Sequence, residues 1–445
     1  MPELLDLCDV AVAAALPGES VEAYAEESRR VEAEARGGEV EGLSFAEARG
    51  VGVRVISGGR LGYAYAADPS EDEVRRAVEQ ARVNAGFTTP DEHNVLPAPA
   101  AAAPLGGIFD ADQAALATDR KVALALDIER RATGADPRVR KVDSAGYGDS
   151  RSRMAIASTT GVRGGYERTD CWCFVVALAE DGDETQTGFS FRVGRRLGDL
   201  DWEGVADEAV ARSVRMLGAA KPESARVPVV LDPFAGSAFL GVLADALSAE
   251  SVQKGRSLFA GLEGTRVGSE VVTIVDDGRR LDGPGASPFD DEGVPSGRTE
   301  LVGAGILRGF LHDAYTAHRG GTASTGNASR AGYRSTPGVG TTNFAVEAGA
   351  TPLADLLRRA EGGVLIQEVS GVHSGANPIS GEFSVGATGL RIRGGALAEP
   401  LREMTVASTI PEMLGAISAV GDDLRFFSSV GVPSLLVGEM TIGGR

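Results

Sequence analysis

The sequence has few cysteine and aromatic residues, and it lacks a long apolar run. Only three of its 445 residues are cysteines, which argues against a disulfide framework. Aromatic residues make up 5% of the chain. Cys171 and Cys173 lie one residue apart on a predicted strand. We expect their side chains to point to opposite faces or nearly so, and to be buried rather than to bind a metal.

No apolar run approaches the roughly twenty residues needed to span a bilayer. The first eighteen residues begin acidic and lack the pattern of a cleavable signal. We therefore expect a cytoplasmic protein that does not bind membranes.

Positive charge is also scarce, with 44 Lys and Arg against 63 Asp and Glu and a net charge of −19. A phosphate backbone would be repelled by most of such a surface, so nucleic acid is excluded as the main partner. What the chain has in abundance is glycine, with 60 residues. Together with the scarcity of aromatics, this predicts a turn-rich protein with much β structure.

Length alone suggests two or three domains. Residues 88–106 are rich in proline and alanine, which is typical of a linker or an extended crossing. A polar joint at 219–226 separates the two halves. We expect an N-terminal α+β domain at 1–220 and a C-terminal β-rich domain at 221–445.

The N-terminal half is predicted to consist of antiparallel hairpins with covering helices. Its clearest hairpin has alternating Val51, Val53 and Val55, a turn at 57–60 and a second alternating strand that ends near residue 67. Apolar spacing predicts helices at 3–16, 71–86, 112–133 and 201–217. Strands are expected at 139–144, 150–159 and 172–179, and 19–41 is predicted to be a strand followed by a connection.

The C-terminal half is predicted to be a mixed or antiparallel β domain with a few helices. A buried strand at 227–231 precedes a helix that Asp232 caps and Pro233 begins. This helix packs through one apolar face. Further strands are expected at 266–275, 363–368 and 434–442, a hairpin at 301–314 and helices at 353–361 and 411–419.

The stretch 371–395 gathers polar side chains between closely spaced glycines and is the first candidate site. From Glu382 onward polar and apolar residues alternate, as in a strand with one solvated face. One interpretation makes His373 and Glu382 an acid/base pair or two metal ligands. The other makes His373 a satisfied loop residue and Glu382 a solvated strand residue. The polar residues of this stretch are His373, Asn377, Ser380, Glu382 and Ser384.

An acidic glycine loop at 276–300 is a second candidate site. Clustered carboxylates suit calcium, but their spacing does not match an EF-hand loop and acidic turn residues are commonly solvated, so we expect no metal. The region 324–342 then places Arg330 and Arg334 in reach of an anionic or peptide ligand. The acidic residues are Asp276, Asp277, Asp282, Asp290, Asp291 and Glu292.

The order of several motifs resembles the TldD/TldE family, also called PmbA or "modulator of DNA gyrase" proteins. The resemblance depends on GLSFAEARGVGVRVISGGRLGYA at 42–64, SPFDDEGVPSGRTELVGAGIL at 287–307 and STGNASR at 324–330. It continues through 371–395 and EMTVASTIPEMLGAISAVGDD at 403–423. It covers nearly the whole chain, and the combined order is specific although each piece alone is weak.

The resemblance also implies which kind of subunit this is. TldD-type members carry a HExxxH helix whose histidines hold a metal and whose glutamate activates water, and a C-terminal cysteine completes the site. In this chain those positions fall at or near Leu240, Gly241 and Asp245, and 421–433 contains no cysteine. No HExxxH occurs anywhere, and the four histidines include no i, i+4 or i, i+5 pair. The chain therefore resembles a TldE (PmbA) subunit, with no catalytic residues and no metal of its own.

The function that the resemblance implies is a non-catalytic, peptide-binding subunit of a cytoplasmic metalloprotease heterodimer that processes unfolded or leader peptides. The metal is expected in a TldD-type partner, and a homodimer is possible when the chain is isolated. Two alternatives stay open: a stand-alone, non-metal hydrolase centred on His373 and Glu382, and a regulatory scaffold. The substrate-binding candidates are His373, Asn377, Ser380, Glu382, Ser384, Arg330 and Arg334.

Overall fold

In a computed structural model, which describes residues 2–445, the N-terminal half forms one six-stranded antiparallel sheet with the order β3-β2-β1-β4-β5-β6. Its first two strands pair along their full length, from Glu19 opposite Ser57 to Arg36 opposite Glu39. The first strand of the predicted hairpin, which includes Val51 to Val55, therefore begins earlier than expected. The connection predicted within 19–41 is part of strands β1 and β2. The strands are β1 (Glu19–Arg36), β2 (Glu39–Ser57), β3 (Arg60–Ala67), β4 (Lys141–Ser158), β5 (Arg163–Asp181) and β6 (Glu184–Gly194).

The two strands predicted at 139–144 and 150–159 are one strand, β4, which runs through Gly146 and Gly148. A Cβ on Gly146 would lie 2.7 Å from the ring of Phe174, and one on Gly148 would lie 2.3 Å from the ring of Trp172. These glycines make room for aromatic side chains of the neighbouring strand, so they do not mark a turn.

Helices cover one face of this sheet. The helices α1 and α2 pack on the β1–β3 side and α4 and α5 on the β4–β6 side. Ser70 caps α2 with a capping box that includes Glu73. The helix predicted at 112–133 is interrupted at 115–117. The helices are α1 (Pro2–Ala13), α2 (Glu71–Ala85), α3 (Ala111–Ala114), α4 (Thr118–Ala135) and α5 (Trp202–Val214).

Cys171 and Cys173 are buried, as predicted, but the predicted orientation of their side chains is wrong. Both side chains belong to the same apolar cluster under α4 and α5. Residues two apart on a strand share a face because the side-chain period of a strand is two.

The C-terminal half contains two further six-stranded sheets. In one, β16 pairs with both β15 and β20, so that β16, β15, β14, β7 and β20 close into a barrel-like arrangement. The pair β14–β7 is parallel, so the sheet is mixed and the predicted α+β class is confirmed. Its strands are β7 (Ala225–Leu231), β14 (Val364–Ser370), β15 (Glu382–Arg393), β16 (Ala396–Thr409), β17 (Ile417–Val420) and β20 (Leu435–Gly443).

The other six-stranded sheet has the order β10-β9-β8-β13-β19-β18, and β11 and β12 form a separate pair. The predicted strand at 266–275 is irregular before Ile274, because Val267 bonds to Gly305 and Ser269 to Leu414 instead of to one ladder. The strands are β8 (Ile274–Asp277), β9 (Arg298–Gly303), β10 (Ile306–Leu307), β11 (Ala328–Ser329), β12 (Gly338–Val339), β13 (Phe344–Val346), β18 (Arg425–Phe427) and β19 (Val430–Val432).

Short helices connect these strands. The hairpin predicted at 301–314 is the short pair β9–β10. Its second strand ends at Leu307, and α8 follows from Ala314. The helix predicted at 411–419 ends at Ala416, where β17 begins. The helices are α6 (Pro233–Ala246), α7 (Ala249–Gln253), α8 (Ala314–Gly320), α9 (Leu353–Arg359), α10 (Val372–Gly375) and α11 (Ile410–Ala416). Between residues 2 and 445, no helix has the length and apolarity that crossing a bilayer requires.

Candidate functional site

A cluster of four buried charged side chains joins the two halves of the chain. Arg54 Nε donates to Glu22 Oε1 at 2.9 Å, and Arg54 Nη2 donates to Glu292 Oε1 at 2.8 Å. Arg330 also donates to Glu22. None of the four side chains is more than 6% exposed. We call Glu22, Arg54, Glu292 and Arg330 the seam cluster.

The two strands and two loops that supply the cluster hold it in a fixed geometry. Glu22 on β1 and Arg54 on β2 are cross-strand partners. The turn that carries Glu292 is fixed by Asp290, whose Oδ1 accepts from the backbone N–H groups of Glu292 and Val294. Burial raises the pKa of Asp290 to about 8, and Glu292 adds to this effect.

The pKa of Glu22 reflects the balance between burial, which disfavours its charged form, and the two arginines, which favour it. Burial alone would raise the pKa of this carboxyl, but Arg54 and Arg330 outweigh burial and hold it below its usual value. The pKa of Glu292 is raised by burial, although Arg54 opposes the rise. Of the two carboxylates in the cluster, Glu22 is therefore the one whose charged form the surroundings favour.

A cavity of about 460 Å³ lies beside the seam cluster, with walls from both halves. The N-terminal sheet contributes Tyr24 and Tyr166, and the loop at 284–291 contributes Phe289 and Asp291. Arg330 closes the side next to the cluster, where its guanidinium lies 5.0 Å from the ring centre of Tyr24. The rest of the lining is rich in hydroxyl groups, including those of Ser428 and Ser429.

Two neighbouring cavities extend this one along the seam. A cavity of about 740 Å³ shares Tyr166 and Phe289 with it and is bordered by the irregular segment 99–109. A cavity of about 540 Å³ shares Pro284 with the first and Phe109 with the second. Because adjacent cavities share lining residues, the three lie side by side along the seam, and we call them together the seam groove.

The candidate stretch 371–395 lies away from the seam groove. Residues 372–375 form α10, and the strand predicted from Glu382 is β15. Phe383 and Val385 are buried while Glu382 and Ser384 are exposed, so the predicted alternation is confirmed. This stretch lines none of the three cavities of the seam groove.

The polar side chains of that stretch are only partly brought together. Ser380 Oγ lies 3.4 Å from Glu382 Oε2, and Asn377 Oδ1 accepts from the backbone N–H of Ile379. His373 is exposed on α10 and forms no hydrogen bond to Glu382 or to a serine within residues 2–445. The arrangement that a His–Glu hydrolase needs is not present in this geometry.

The two candidate arginines are both committed to protein contacts. Arg330 is fully buried in the seam cluster, and its Nε also donates to the carbonyl of Asp291 at 3.1 Å. Arg334 is exposed and donates to the hydroxyl of Tyr333 at 3.0 Å, with its guanidinium 5.9 Å from the ring centre of Tyr65. Arg330 lines the first cavity, whereas Arg334 does not.

The helix at the family's metal position offers no ligand set. Leu240 is fully buried in the largest core cluster, Gly241 has no side chain, and Asp245 is exposed on the opposite face. Across residues 2–445, no three His, Cys, Asp or Glu side chains converge as metal ligands. The residues present at α6 therefore do not fit a catalytic metal.

The acidic loop is not the solvated turn that the sequence predicts, because three of its carboxylates are buried. Asp276 is buried and accepts from Asn327 Nδ2 at 2.7 Å and from Thr342 Oγ1 at 2.6 Å. Asp290 and Glu292 are also buried. The expectation of solvated carboxylates fails for these three because each has specific donors inside the seam.

Sequence analysis missed Glu22, Tyr24, Arg54 and Tyr166. They lie on strands whose local pattern is ordinary, and their partners are up to 308 residues away. One signal was available: the motif stretches at 42–64, 287–307 and 324–330 each supply a seam-cluster residue. Motif stretches that are distant in sequence commonly meet at one site.

The matching family models place the chain in a class of proteins related to peptidases. Residues 21–85 match the PmbA/TldA metallopeptidase domain 1, residues 112–217 the central domain and residues 224–444 the C-terminal domain. The chain belongs to the PmbA/TldD metallopeptidase family.

Relatives of both subunit types are similar to this chain. Metalloprotease PmbA of Escherichia coli O157:H7 is 26% identical, with 92% of this chain and 89% of that protein covered. A metalloprotease TldD homolog of Haemophilus influenzae is 30% identical, with 90% and 88% covered. The crystal structure of TldE from Thermococcus kodakarensis has a TM-score of 0.90 at 25% identity, with 99% of each chain covered. Overall identity thus does not separate the PmbA-named relatives from the TldD-named ones.

Proposed function

We propose that this chain is the non-catalytic, peptide-binding subunit of a cytoplasmic metalloprotease heterodimer, whose TldD-type partner carries the metal. The observation that carries this proposal is the seam groove. It is long, it has glycines along its wall at Gly164 and Gly285, and it combines aromatic surface with main-chain groups. An extended peptide needs such a surface, because main-chain hydrogen bonds give affinity and side-chain pockets give specificity.

The chemistry of α6 supports a subunit that does not cut alone. A zinc peptidase needs three protein ligands and an open position for water. Leu240 and Gly241 supply none of these ligands, and replacing a fully buried leucine by histidine would place a polar group in the core. The peptide bond must then be broken by the partner.

The stretch 371–395 fits the partner-facing side of this proposal. Its exposed polar side chains have spare hydrogen-bonding capacity, and Ile379 beside them is 54% exposed. A second subunit that covers this face would enclose a cavity with Ser380, Glu382 and Ser384 on one wall. The substrate-binding roles of these residues follow from that arrangement.

The test is to purify the chain with a TldD-type subunit, separate the two, and assay metal and peptide cleavage for each and for the mixture. We expect metal in the TldD-type subunit and cleavage only in the mixture. Stoichiometric metal together with cleavage by this isolated chain would overturn the proposal. Sedimentation of the isolated chain shows whether it pairs with itself.

The groove has its own test. Phe289→Ala removes a ring shared by two cavities of the groove and should weaken peptide binding. Phe87→Ala is the matched control, because Phe87 is 86% exposed and lies outside the groove. Equal peptide affinity in both variants would place the peptide elsewhere.

A further inference from the structure

The first cavity of the seam groove has the size and construction of a ligand site. Its volume of about 460 Å³ falls within the range of small-ligand pockets, roughly 300–1,000 Å³. Its walls come from β1, β5 and the loops at 284–291 and 327–332. Such a cavity is shaped by both halves of the chain and is fixed by the seam cluster beside it.

The arginine side chains near this cavity are already engaged by carboxylates and carbonyl oxygens of the protein. Arg168 forms two hydrogen bonds to Asp170, at 2.9 and 2.8 Å, and a third to the carbonyl of Pro284. Arg195 binds the same carboxylate and the carbonyls of Gly283 and Pro284. Arg330 is bound to Glu22. An anionic ligand would have to displace these contacts.

The negative charges, in contrast, have capacity left. Asp291 accepts one backbone hydrogen bond, from Arg330 at 2.8 Å, and Glu26 accepts one, from Tyr333 at 3.2 Å. An ionised carboxylate has about four acceptor sites. Both side chains line the cavity and neither is ion-paired among residues 2–445. The cavity is therefore short of hydrogen-bond donors and of positive charge.

The aromatic walls suit the same kind of ligand. Tyr24 already carries one guanidinium on its ring, that of Arg330. Tyr166 and Phe289 pack edge to face with centroids 5.2 Å apart and present further aromatic surface to the cavity. Aromatic faces attract ammonium and guanidinium groups, more strongly when the site is desolvated.

We propose that this cavity binds a cationic group of the peptide, an ammonium or a guanidinium, between the carboxylates of Asp291 and Glu26 and the aromatic rings. The proposal deepens the proposed function and rests on it for the identity of the ligand. It predicts that the bound peptide presents a basic side chain or its amino terminus at this point of the groove.

The experiment uses small probes on the isolated full-length chain, so that it does not depend on cleavage or on a partner. Nα-acetyl-lysine methylamide and Nα-acetyl-arginine methylamide represent the side chains, and alanine methylamide represents a free amino terminus. Nα-acetyl-norleucine methylamide is the uncharged control. We expect at least one cationic probe to bind about tenfold or more tightly than the norleucine probe, as one charged hydrogen bond predicts. The probe that binds best identifies the source of the cation.

Variants locate the binding. Asp291→Asn keeps the oxygen that accepts from Arg330 and removes the charge, and Glu26→Gln does the same for its contact with Tyr333. Each should reduce the preference for the cationic probe by about tenfold, while Asp207→Asn on α5 should not change it. Equal binding of the cationic and norleucine probes, or an unchanged preference in both cavity variants, would overturn the proposal. Peptides with lysine or norleucine, each with a free or an acetylated amino terminus, separate the two proposals: equal, measurable binding of all four leaves the peptide-binding function intact and removes only the cation site.

Discussion

Glu22→Gln is the change that tests most directly whether the seam cluster holds the two halves together. The variant keeps the volume of the side chain and removes one negative charge from a cluster of two carboxylates and two guanidinium groups. Arg54 and Arg330 are then left with Glu292 as their only carboxylate within the cluster. One buried positive charge is no longer compensated.

The size of the effect follows from burial. All four side chains are at most 6% exposed, and removing one partner of a buried ion pair costs about 3–5 kcal/mol. The control is Asp207→Asn, which breaks the pair between Arg131 and Asp207. These two side chains are 47% and 46% exposed, and exposed pairs contribute about 0.2–1 kcal/mol.

The assay is urea unfolding followed by signals from each half, because a chain of two parts need not unfold in one step. We expect Glu22→Gln to lower the free energy of unfolding by about 3–5 kcal/mol and to separate the transitions of the two halves. Adding Arg330→Gln restores neutrality, so the double variant should lose less than the sum of the single losses. A loss for Glu22→Gln that matches the loss for Asp207→Asn would refute the reasoning.

Four further outcomes are expected. The pKa of Glu22 is lowered in the folded state. The charged Glu22 side chain therefore contributes fully to stability above its pKa in the unfolded chain, and this contribution is lost as the pH falls through the lower pKa of the folded state. Below about pH 4.5, the difference in free energy of unfolding between wild type and Glu22→Gln should therefore become smaller. Leu240→Ala should cost about 2–5 kcal/mol in thermal or urea unfolding, whereas Asp245→Ala, on the exposed face of the same helix, should change stability by less than about 0.5 kcal/mol. Gly52→Ala should destabilise by about 1–3 kcal/mol, because its Cβ would lie 2.4 Å from a backbone carbonyl and 2.0 Å from the Tyr63 hydroxyl; normal stability would show that the loop near residue 333 yields easily. His373→Ala should leave the rate of cleavage by the reconstituted heterodimer within about twofold of wild type. Loss of a general base typically lowers a rate by several orders of magnitude, and a loss of that size would restore the hydrolase hypothesis.

Local patterns were sufficient to predict most elements of the fold. Alternation in β2 and β3 and the cap at Asp232 both reflect interactions within a few residues, which a sequence displays directly. Strand β4 is wrongly predicted as two strands, because the role of Gly146 and Gly148 depends on Phe174 and Trp172 on the neighbouring strand. A glycine that accommodates a cross-strand ring has the same letter as one that makes a turn.

The candidate site was harder to predict because its residues are brought together only by the tertiary structure. Arg330 was recognised as a charged residue near a ligand, but its partner Glu22 is 308 positions away. The carboxylates of the acidic loop are predicted to be solvated because acidic residues in turns commonly are. Their donors are Arg54, Asn327 and backbone groups of distant segments.

Under the proposed function, the positions of the motif stretches explain how this chain can bind a peptide without metal ligands at α6. Three of the motif stretches supply Arg54, Glu292 and Arg330, so they fix the two halves against each other and shape the groove. The α6 positions instead contribute a buried leucine to the core and need no contact with that seam. Substitution at α6 can therefore remove metal chemistry without disturbing the groove, whereas a change at the seam cluster should alter both stability and peptide binding. Measuring both properties in Glu22→Gln and Leu240→Ala separates the two roles: Glu22→Gln should weaken peptide binding and stability together, and Leu240→Ala should lower stability alone.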